Sequence, residues 1–233
     1  MPTDRNLRIP VLRQQSCFKG HRTGLNSISI YPLLSKHAWP PSYDSSICDL
    51  ATISVMLGCQ DAYTLGHACR VSAYARRIAQ RVGLSAENTE TVRIGGLLHD
   101  IGKVAFSPGL LDNTQERLSD AMRSEIKRHP EIGGDFLDAI HVAQPVVDCV
   151  RYHHERLDGS GYPFGLKAEQ IPLSASIISV ADCFDALTTD RSYQKKRTTA
   201  EALAILERLG DDHLPPEFVS ELIADVRENG LQD

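Results

Sequence analysis

Apolar residues recur at helical spacing through most of the chain after residue 45, and few segments alternate with the period of two that is typical of strands. The pattern is clearest over residues 46–58, 61–82 and 173–187, where apolar side chains return every three or four positions. The sequence therefore predicts an all-α fold, a bundle of helices with one apolar stripe each.

Short local signals indicate where several of these helices begin. Ser85 and Ser119 stand where N-caps are expected, and Thr198 is followed three residues later by Glu201, which is the pattern of a capping box. Pro145 is suited to the first turn of a helix. A further helix is expected to reach His129, where Pro130 breaks it before the next helix starts.

Residues 1–45 show no sustained period and contain five prolines and the only tryptophan, Trp39. We predict that they form a short irregular N-terminal arm that packs on the domain or on a partner. Residues 46–233 are then one domain. Within it, residues 104–118 are predicted to be a loop, and so is the stretch 158–165, which is dense in glycine and other turn-forming residues.

Composition narrows the function classes. The chain has 233 residues, of which 42% are hydrophobic and 24% charged, and its net charge is −5. This charge does not favour DNA as a partner, whereas a small anionic substrate fits if cations inside a site reverse the local field. Six scattered cysteines without a CxxC pair indicate reduced thiols. Since no apolar run approaches a membrane span and no secretory signal is recognisable, we predict a cytoplasmic protein.

The chemistry is concentrated first in the stretch His99-Asp100-Ile101-Gly102-Lys103. Histidine offers a neutral nitrogen, and an aspartate can bridge two metal ions. Gly102 is expected to let the backbone turn away from the helix end, and Lys103 brings a cation to the same place. The dipeptide alone fits equally well a histidine at a helix C-terminus beside a solvated aspartate.

Five of the nine histidines lie on or at the ends of separate predicted helices: His67, His99, His129, His153 and His154. Individually, His67 fits a core position and His129 a helix cap. The adjacent pair His153-His154 would repel if protonated, and a metal ion that holds both neutral removes that cost. Asp182 lies in an apolar helix and needs a compensating charge. Asp185, one turn later, is predicted to be solvated or to support a ligand, without a ligand role of its own.

Taken in order, these residues resemble an HD-GYP domain, a branch of the HD superfamily of metal-dependent phosphohydrolases. The resemblance covers about residues 46–230. It is carried by His67-x-x-Arg70-Val71, His99-Asp100-Ile101-Gly102-Lys103, His129-Pro130, His153-His154-Glu155, Asp158-Gly-x-Gly161-Tyr162-Pro163 and Ala181-Asp182-x-Phe184-Asp185-Ala186-Leu187-Thr188. It implies a helical bundle with a metal centre in its core and a bacterial phosphodiesterase that hydrolyses cyclic di-GMP to pGpG and often onward to GMP.

The resemblance also implies roles for single residues. The ligands shared across HD enzymes correspond to His67, His99, Asp100 and Asp182, with Asp100 bridging to a second ion held by His129, His153 and His154. Lys103 and Arg191 would bind phosphate, while Tyr162 and Pro163 would form part of the substrate wall, and Asp100 and Lys103 are the catalytic candidates. Mixed nitrogen and oxygen ligands suit Fe or Mn, and Zn is compatible with the same ligand types.

Two departures from the family pattern change the expectation. Some members hold a third ion with a glutamate four residues before the first histidine, where this chain has Tyr63, so we predict a two-metal centre. A basic residue that usually follows the Arg191 segment is replaced by Gln194. A slow nucleotide sensor or protein-binding adaptor and a phosphohydrolase for another nucleotide therefore stay open, as do a regulatory protein partner and a homodimer.

Overall fold

The computed structural model describes residues 62–107, 110, 119–190, 195–210 and 212–231, and all the regular elements among them are helical. The helices are α1 Ala62–Arg81, α2 Ala86–Leu98, α3 Asp120–Ile126, α4 His129–Ala139, α5 Gln144–Tyr152, α6 Leu173–Thr188, α7 Thr199–Leu209 and α8 Pro216–Asn229, with 3₁₀ turns at Ile101–Ala105 and Ala168–Gln170. The all-α prediction is confirmed. The proposed arm at residues 1–45 and the helix over 46–58 lie outside the described residues.

The helix starts predicted from local signals are confirmed. The Ser85 hydroxyl accepts a hydrogen bond from the backbone of Asn88, and Ser119 does the same for Met122. Thr198 and Glu201 form the reciprocal capping box at the start of α7. These signals act within one helical turn, which is why the sequence alone can specify them.

The boundary at Pro130 differs from the prediction. Helix α3 ends at Ile126, and His129 opens α4 instead of closing the preceding helix. Pro130 lies in the first turn of α4, where its missing N–H costs nothing because that donor has no partner inside the helix. Residues 101–105, partly assigned to a loop, form a 3₁₀ turn that continues directly from the end of α2.

Two groups of buried apolar side chains form the core. The larger joins α1, α6, α7 and α8 through residues such as Tyr74, Phe184 and Leu222. The smaller joins α2, α4 and α5 through Leu98, Leu137 and other aliphatic side chains. Helix α2 packs against α1, α5 and α6, so it links the two groups. None of the described helices has the length and apolar character needed to span a membrane.

Candidate metal centre

Seven side chains predicted as ligands come from five places in the bundle. His67 lies in α1 and Asp182 in α6, whereas the remaining five lie at helix ends: His99 and Asp100 after α2, His129 at the start of α4, and His153 and His154 after α5. The side chains are largely withdrawn from solvent: His153 is 0% exposed, the Asp182 side chain is 14% exposed, and His154 is partly buried. The structure brings all seven together in the interior.

The first ligand group consists of His67, His99 and Asp100. The Nε2 atoms of His67 and His99 lie 3.2 Å apart. Asp100 Oδ2 lies 3.6 Å from the His67 Nε2 and 3.4 Å from the His99 Nε2. Asp182 Oδ1 adds a second oxygen 3.3 Å from the His67 Nε2. Ligands that share an ion at about 2.1 Å are expected to lie about 3 Å from one another, as these atoms do.

The second ligand group consists of His129, His153 and His154. The Nε2 atoms of His129 and His153 lie 3.3 Å apart. The rings of His153 and His154 are adjacent, with centroids 4.1 Å apart, and the His154 ring also meets the His129 ring edge to face. Three imidazoles therefore surround one small volume.

The Asp100 carboxylate lies between the two groups. Its Oδ2 faces His67 and His99, while its Oδ1 lies 3.2 Å from the Nε2 of His129. One oxygen for each group is the arrangement that a carboxylate bridging two ions requires. Lys103, one turn later, donates to Asp100 Oδ2 at 2.5 Å and brings its ammonium to the edge of the centre.

Hydrogen bonds of the Nδ1 atoms fix the neutral tautomers of the four histidines whose Nε2 atoms face each other. The Nδ1 atoms of His99, His129 and His153 each donate to a backbone carbonyl three residues earlier, at 2.7–2.8 Å. His67 Nδ1 donates to the Asp185 carboxylate at 2.8 Å. A carbonyl can only accept, so each Nδ1 carries the proton and each neutral ring keeps a bare lone pair on Nε2.

Within each of two histidine pairs, the Nε2 lone pairs consequently face each other inside the protein. The His67–His99 and His129–His153 pairs have no proton between their Nε2 atoms when the rings are neutral. Such contacts are unfavourable unless a cation, either a metal ion or additional protons, lies among them. The chemistry of these donors fits a metal ion, because histidines that bind metals usually donate their second N–H to a carbonyl or carboxylate.

The surrounding charges favour the forms of the ligands that bind metals. Burial by itself would raise the pKa of Asp100, but Lys103 and His99 hold that pKa well below its ordinary value. Burial and the neighbouring imidazoles hold the pKa values of His153 and His154 well below the ordinary histidine value. Asp100 therefore stays ionised, and these two imidazoles stay neutral at neutral pH.

The pKa of His99 shifts in the opposite direction, upward from its ordinary value. Burial would lower its pKa, but the charges of Asp100 and Asp182 outweigh burial and raise it. In the absence of a metal ion, His99 consequently keeps a proton more readily than an ordinary histidine, and metal binding must displace that proton.

Of the two positions expected for Asp185, solvated or supporting a ligand, the structure shows the second. Its side chain is fully buried and accepts from His67 Nδ1 and from Arg70 Nε at 2.6 Å. Burial would raise the Asp185 pKa, but His67 and Arg70 lower it. The positive charge that compensates the Asp185 carboxylate comes from Arg70, which is 115 residues away in the sequence. The helical pattern of α6 could therefore not reveal it.

Gly102 serves a different purpose from the one expected. Its backbone is not in the left-handed region, and it continues the 3₁₀ turn. A Cβ at this position would lie 2.0 Å from the His129 carbonyl oxygen. The missing side chain therefore lets the turn after α2 press against the start of α4, which brings Asp100 to His129.

The loop that contains Gly161, Tyr162 and Pro163 lies against the second ligand group. The Tyr162 ring stacks on the His154 ring with centroids 4.6 Å apart, and the Tyr162 N–H donates to the His154 carbonyl. A Cβ on Gly161 would lie 2.5 Å from the Glu155 Cα, so only glycine permits this approach. Pro163 is partly buried and follows a cis peptide bond.

Glu155 holds this loop in place. The sequence showed it only as part of the His153-His154-Glu155 motif, without a role of its own. Its side chain is buried, and its two carboxylate oxygens accept from the backbone N–H groups of Phe164 and Leu166 at 2.8 and 3.0 Å. A carboxylate next to His153-His154 could be noticed in the sequence. Its role could not be predicted, because its partners are backbone groups of a loop whose path the sequence does not reveal.

A cavity of about 290 Å³ adjoins the loop and is lined by His154, Arg156, Tyr162, Cys183 and His213 among others. Arg191 and Gln194 lie outside the described residues. Tyr63 lies in α1, and its side chain is outside the described set.

The family model described as "HD domain" matches residues 52–218 of the chain. A cyclic di-GMP phosphodiesterase of Pseudomonas aeruginosa is 41% identical over 150 residues, which cover 64% of this chain and 36% of that protein. The 3′3′-cGAMP-specific phosphodiesterase 3 of Vibrio cholerae is 32% identical over 175 residues, covering 75% of this chain and 38% of that protein. The chain thus spans little more than a third of the length of these relatives.

The fold has a solved counterpart in Bd1817, an HDG"Y"P protein of Bdellovibrio bacteriovorus. The two structures superpose with a TM-score of 0.60 at 21% sequence identity, over 84% of this chain and 67% of that one. The chain therefore belongs to the HD domain family, and its motifs and relatives agree with the HD-GYP branch that the sequence resembles.

Proposed function

We propose that this chain is a metal-dependent phosphodiesterase that hydrolyses cyclic di-GMP to pGpG, with GMP as the product of a second round. The observation that carries the proposal is the pair of facing Nε2 contacts, His67–His99 and His129–His153, joined by the two oxygens of Asp100. The similarity to curated cyclic dinucleotide phosphodiesterases supports the same reaction class.

The centre is proposed to hold two divalent ions. His67, His99, Asp100 and Asp182 would hold one, and His129, His153, His154 and Asp100 the other. The mixed nitrogen and oxygen donors suit Fe or Mn, and Zn is also compatible with them. When bound, such a pair of ions supplies a hydroxide near neutral pH and positive charge beside the phosphate.

The side chains of the chain itself then bind and orient the substrate. Lys103 keeps an ammonium at the edge of the centre, where it would stabilise negative charge that develops on the phosphate oxygens. Burial and the Asp182 and Asp100 charges raise the pKa of Tyr162, so its phenol keeps the proton and can donate to a phosphate oxygen. Pro163 would stiffen the wall beside it, and Arg191 would supply a bidentate phosphate contact.

Turnover and binding must be measured separately. We expect the chain reconstituted with Mn²⁺ or Fe²⁺ to release pGpG from cyclic di-GMP, and Asp100→Ala to lower kcat by at least roughly 10³-fold, because both ligand groups lose an oxygen. Asp148→Ala, which removes a carboxylate on α5 that pairs with Gln144, is the control. Binding of cyclic di-GMP without any product would favour a sensor and contradict the proposal.

A second candidate is hydrolysis of 3′3′-cGAMP, favoured by the 32% identity to a phosphodiesterase of Vibrio cholerae that is specific for it. Both compounds present the same phosphodiester to the centre and differ in one base. The ratio of kcat/KM values for the two substrates, measured on one preparation, decides between them. Cytoplasmic localisation, the regulatory partner and the homodimer stay predictions.

A further inference from the structure

The metal centre can account for only one of the two phosphates of a cyclic dinucleotide. Both phosphodiesters belong to one ring, so when one is at the centre the other is held close by. A cation beside the centre would bind this second phosphate through charge-assisted hydrogen bonds.

Three cations around the site are already engaged in other contacts. Lys103 is paired with Asp100, and Arg70 with Asp185. Arg156 donates to Ser179 and to nearby backbone carbonyls. These guanidinium and ammonium groups are committed to holding the centre and its loop, so they are poor candidates for the second phosphate.

Lys127 differs from these cations. Its residue is exposed, and none of the carboxylates in the described part of the chain forms an ion pair with it. Its Nζ lies over the Tyr162 ring, 5.5 Å from the centroid, which is the geometry of a cation–π contact. The contact localises a long side chain that is otherwise free to rotate.

The position of Lys127 is also tied to the metal centre. It caps the C-terminus of α3, and its N–H donates to the Arg123 carbonyl. His129, two residues later, is anchored to the Ile126 carbonyl through Nδ1, so the same turn sets both the ligand and the lysine. The same Tyr162 ring that contacts Lys127 also stacks on the ring of His154, a predicted ligand.

We propose that Lys127, held over the Tyr162 ring, binds the second, unreacting phosphate of the cyclic dinucleotide. The inference rests on the proposed phosphodiesterase function and extends it, because it makes a compound with two phosphates the preferred substrate class. It also offers a source of positive charge for the substrate in a chain whose sequence has Gln194 where the family pattern has a basic residue.

The test compares two substrates on the metal-loaded chain: cyclic di-GMP, and bis(p-nitrophenyl) phosphate, which has a single phosphodiester. We expect Lys127→Ala to raise KM for cyclic di-GMP roughly three- to tenfold, with kcat changed less than twofold. The KM for the single-phosphate substrate should change less than twofold. Lys127→Arg keeps the charge and should restore most of the affinity, and the effect of Lys127→Ala should shrink as salt rises.

Arg227→Ala is the matched control, because it removes one exposed cation from α8 and leaves the loop and the centre untouched. An equal change in KM for both substrates, or no change for either, would overturn the role of Lys127. If the wild-type chain hydrolyses neither substrate, the proposed function itself fails and this inference falls with it.

Discussion

The first ligand pair, His67 and His99, and the second, His129 and His153, present Nε2 atoms at nearly the same separation, 3.2 and 3.3 Å. The environment behind them differs. In the second pair both Nδ1 atoms donate to backbone carbonyls. In the first pair His67 Nδ1 donates to the buried Asp185 carboxylate, which is itself paired with Arg70.

Anionic groups are thus concentrated around the first pair. Asp182 lies 3.3 Å from His67, and Asp185 lies behind it, while the second group offers three neutral imidazoles and one oxygen of Asp100. A carboxylate behind a histidine makes that histidine a more basic ligand. We therefore expect the first group to hold its ion more tightly, and a chelator to remove the ion of the second group first.

Removing one histidine from each pair separates the two groups most strongly. His153→Ala should abolish most turnover, roughly 10²-fold or more, yet leave one tightly bound ion per chain, because the first group is intact. His99→Ala should weaken the tighter of the two binding events instead. Metal-binding calorimetry on both variants measures the number of bound ions and their affinities. Loss of both ions in His153→Ala would contradict the claim that the first group binds its ion without the second.

Gly102→Ala is expected to disturb the junction between the groups. The new methyl group would meet the His129 carbonyl, so the turn after α2 and the start of α4 must separate, at about 1–3 kcal/mol of unfolding free energy. Binding at the second group should weaken more than binding at the first. Thermal unfolding with metal titration checks this.

The control for that variant is Gly210→Ala, at the end of α7. Its φ is −67° and a Cβ there would lie 3.2 Å from the Glu207 carbonyl, so a small cost in stability and unchanged metal binding are expected. Equal behaviour of the two variants would refute the role assigned to Gly102.

Asp185→Asn removes the anionic support of the first pair alone. We expect the affinity of the tighter ion to fall roughly 10- to 100-fold and the weaker ion to be unaffected. Asp225→Asn is the matched control, since Asp225 is also buried and is paired with Arg77 of the same helix α1, away from the ligands. A similar loss of affinity in both variants would mean that stability, and not ligand basicity, is responsible.

The smallest effect concerns acid stability without metal. The Asp185 pKa is lowered in the fold, so its contribution to stability is present above the ordinary value of 3.8 and is lost as pH falls through the folded value. Unfolding free energy measured against pH should therefore fall less steeply below pH 3.8 in Asp185→Asn than in the wild type. Identical slopes would contradict the assignment.

The parts of this architecture that depend on local sequence could be predicted, and the parts that depend on distant partners could not. Ser85, Ser119 and Thr198 act on N–H groups within one turn, so their caps follow from the sequence. The sequence could not decide whether Asp185 is solvated or supports a ligand, because its partner Arg70 is remote in sequence. Glu155 was visible in the His153-His154-Glu155 motif, but its role was not, since its partners are backbone N–H groups of the loop.

The candidate site shows the same division. The sequence and its family resemblance named the seven residues that the structure brings together, but not which nitrogen of each histidine faces inward. That orientation depends on carbonyls at the ends of α2, α3 and α5, and therefore on where each helix stops. The preceding helix ends at Ile126 and not at His129, and the Ile126 carbonyl at that end accepts from His129 Nδ1.

Anomalous diffraction at the metal edge, from crystals of the metal-loaded chain, would locate the ions themselves. We expect two peaks, one in contact with the Nε2 atoms of His67 and His99 and the other with those of His129 and His153, with one oxygen of Asp100 directed at each. A chain that turns over substrate with a single ion, or with ions bound away from these nitrogens, would contradict it.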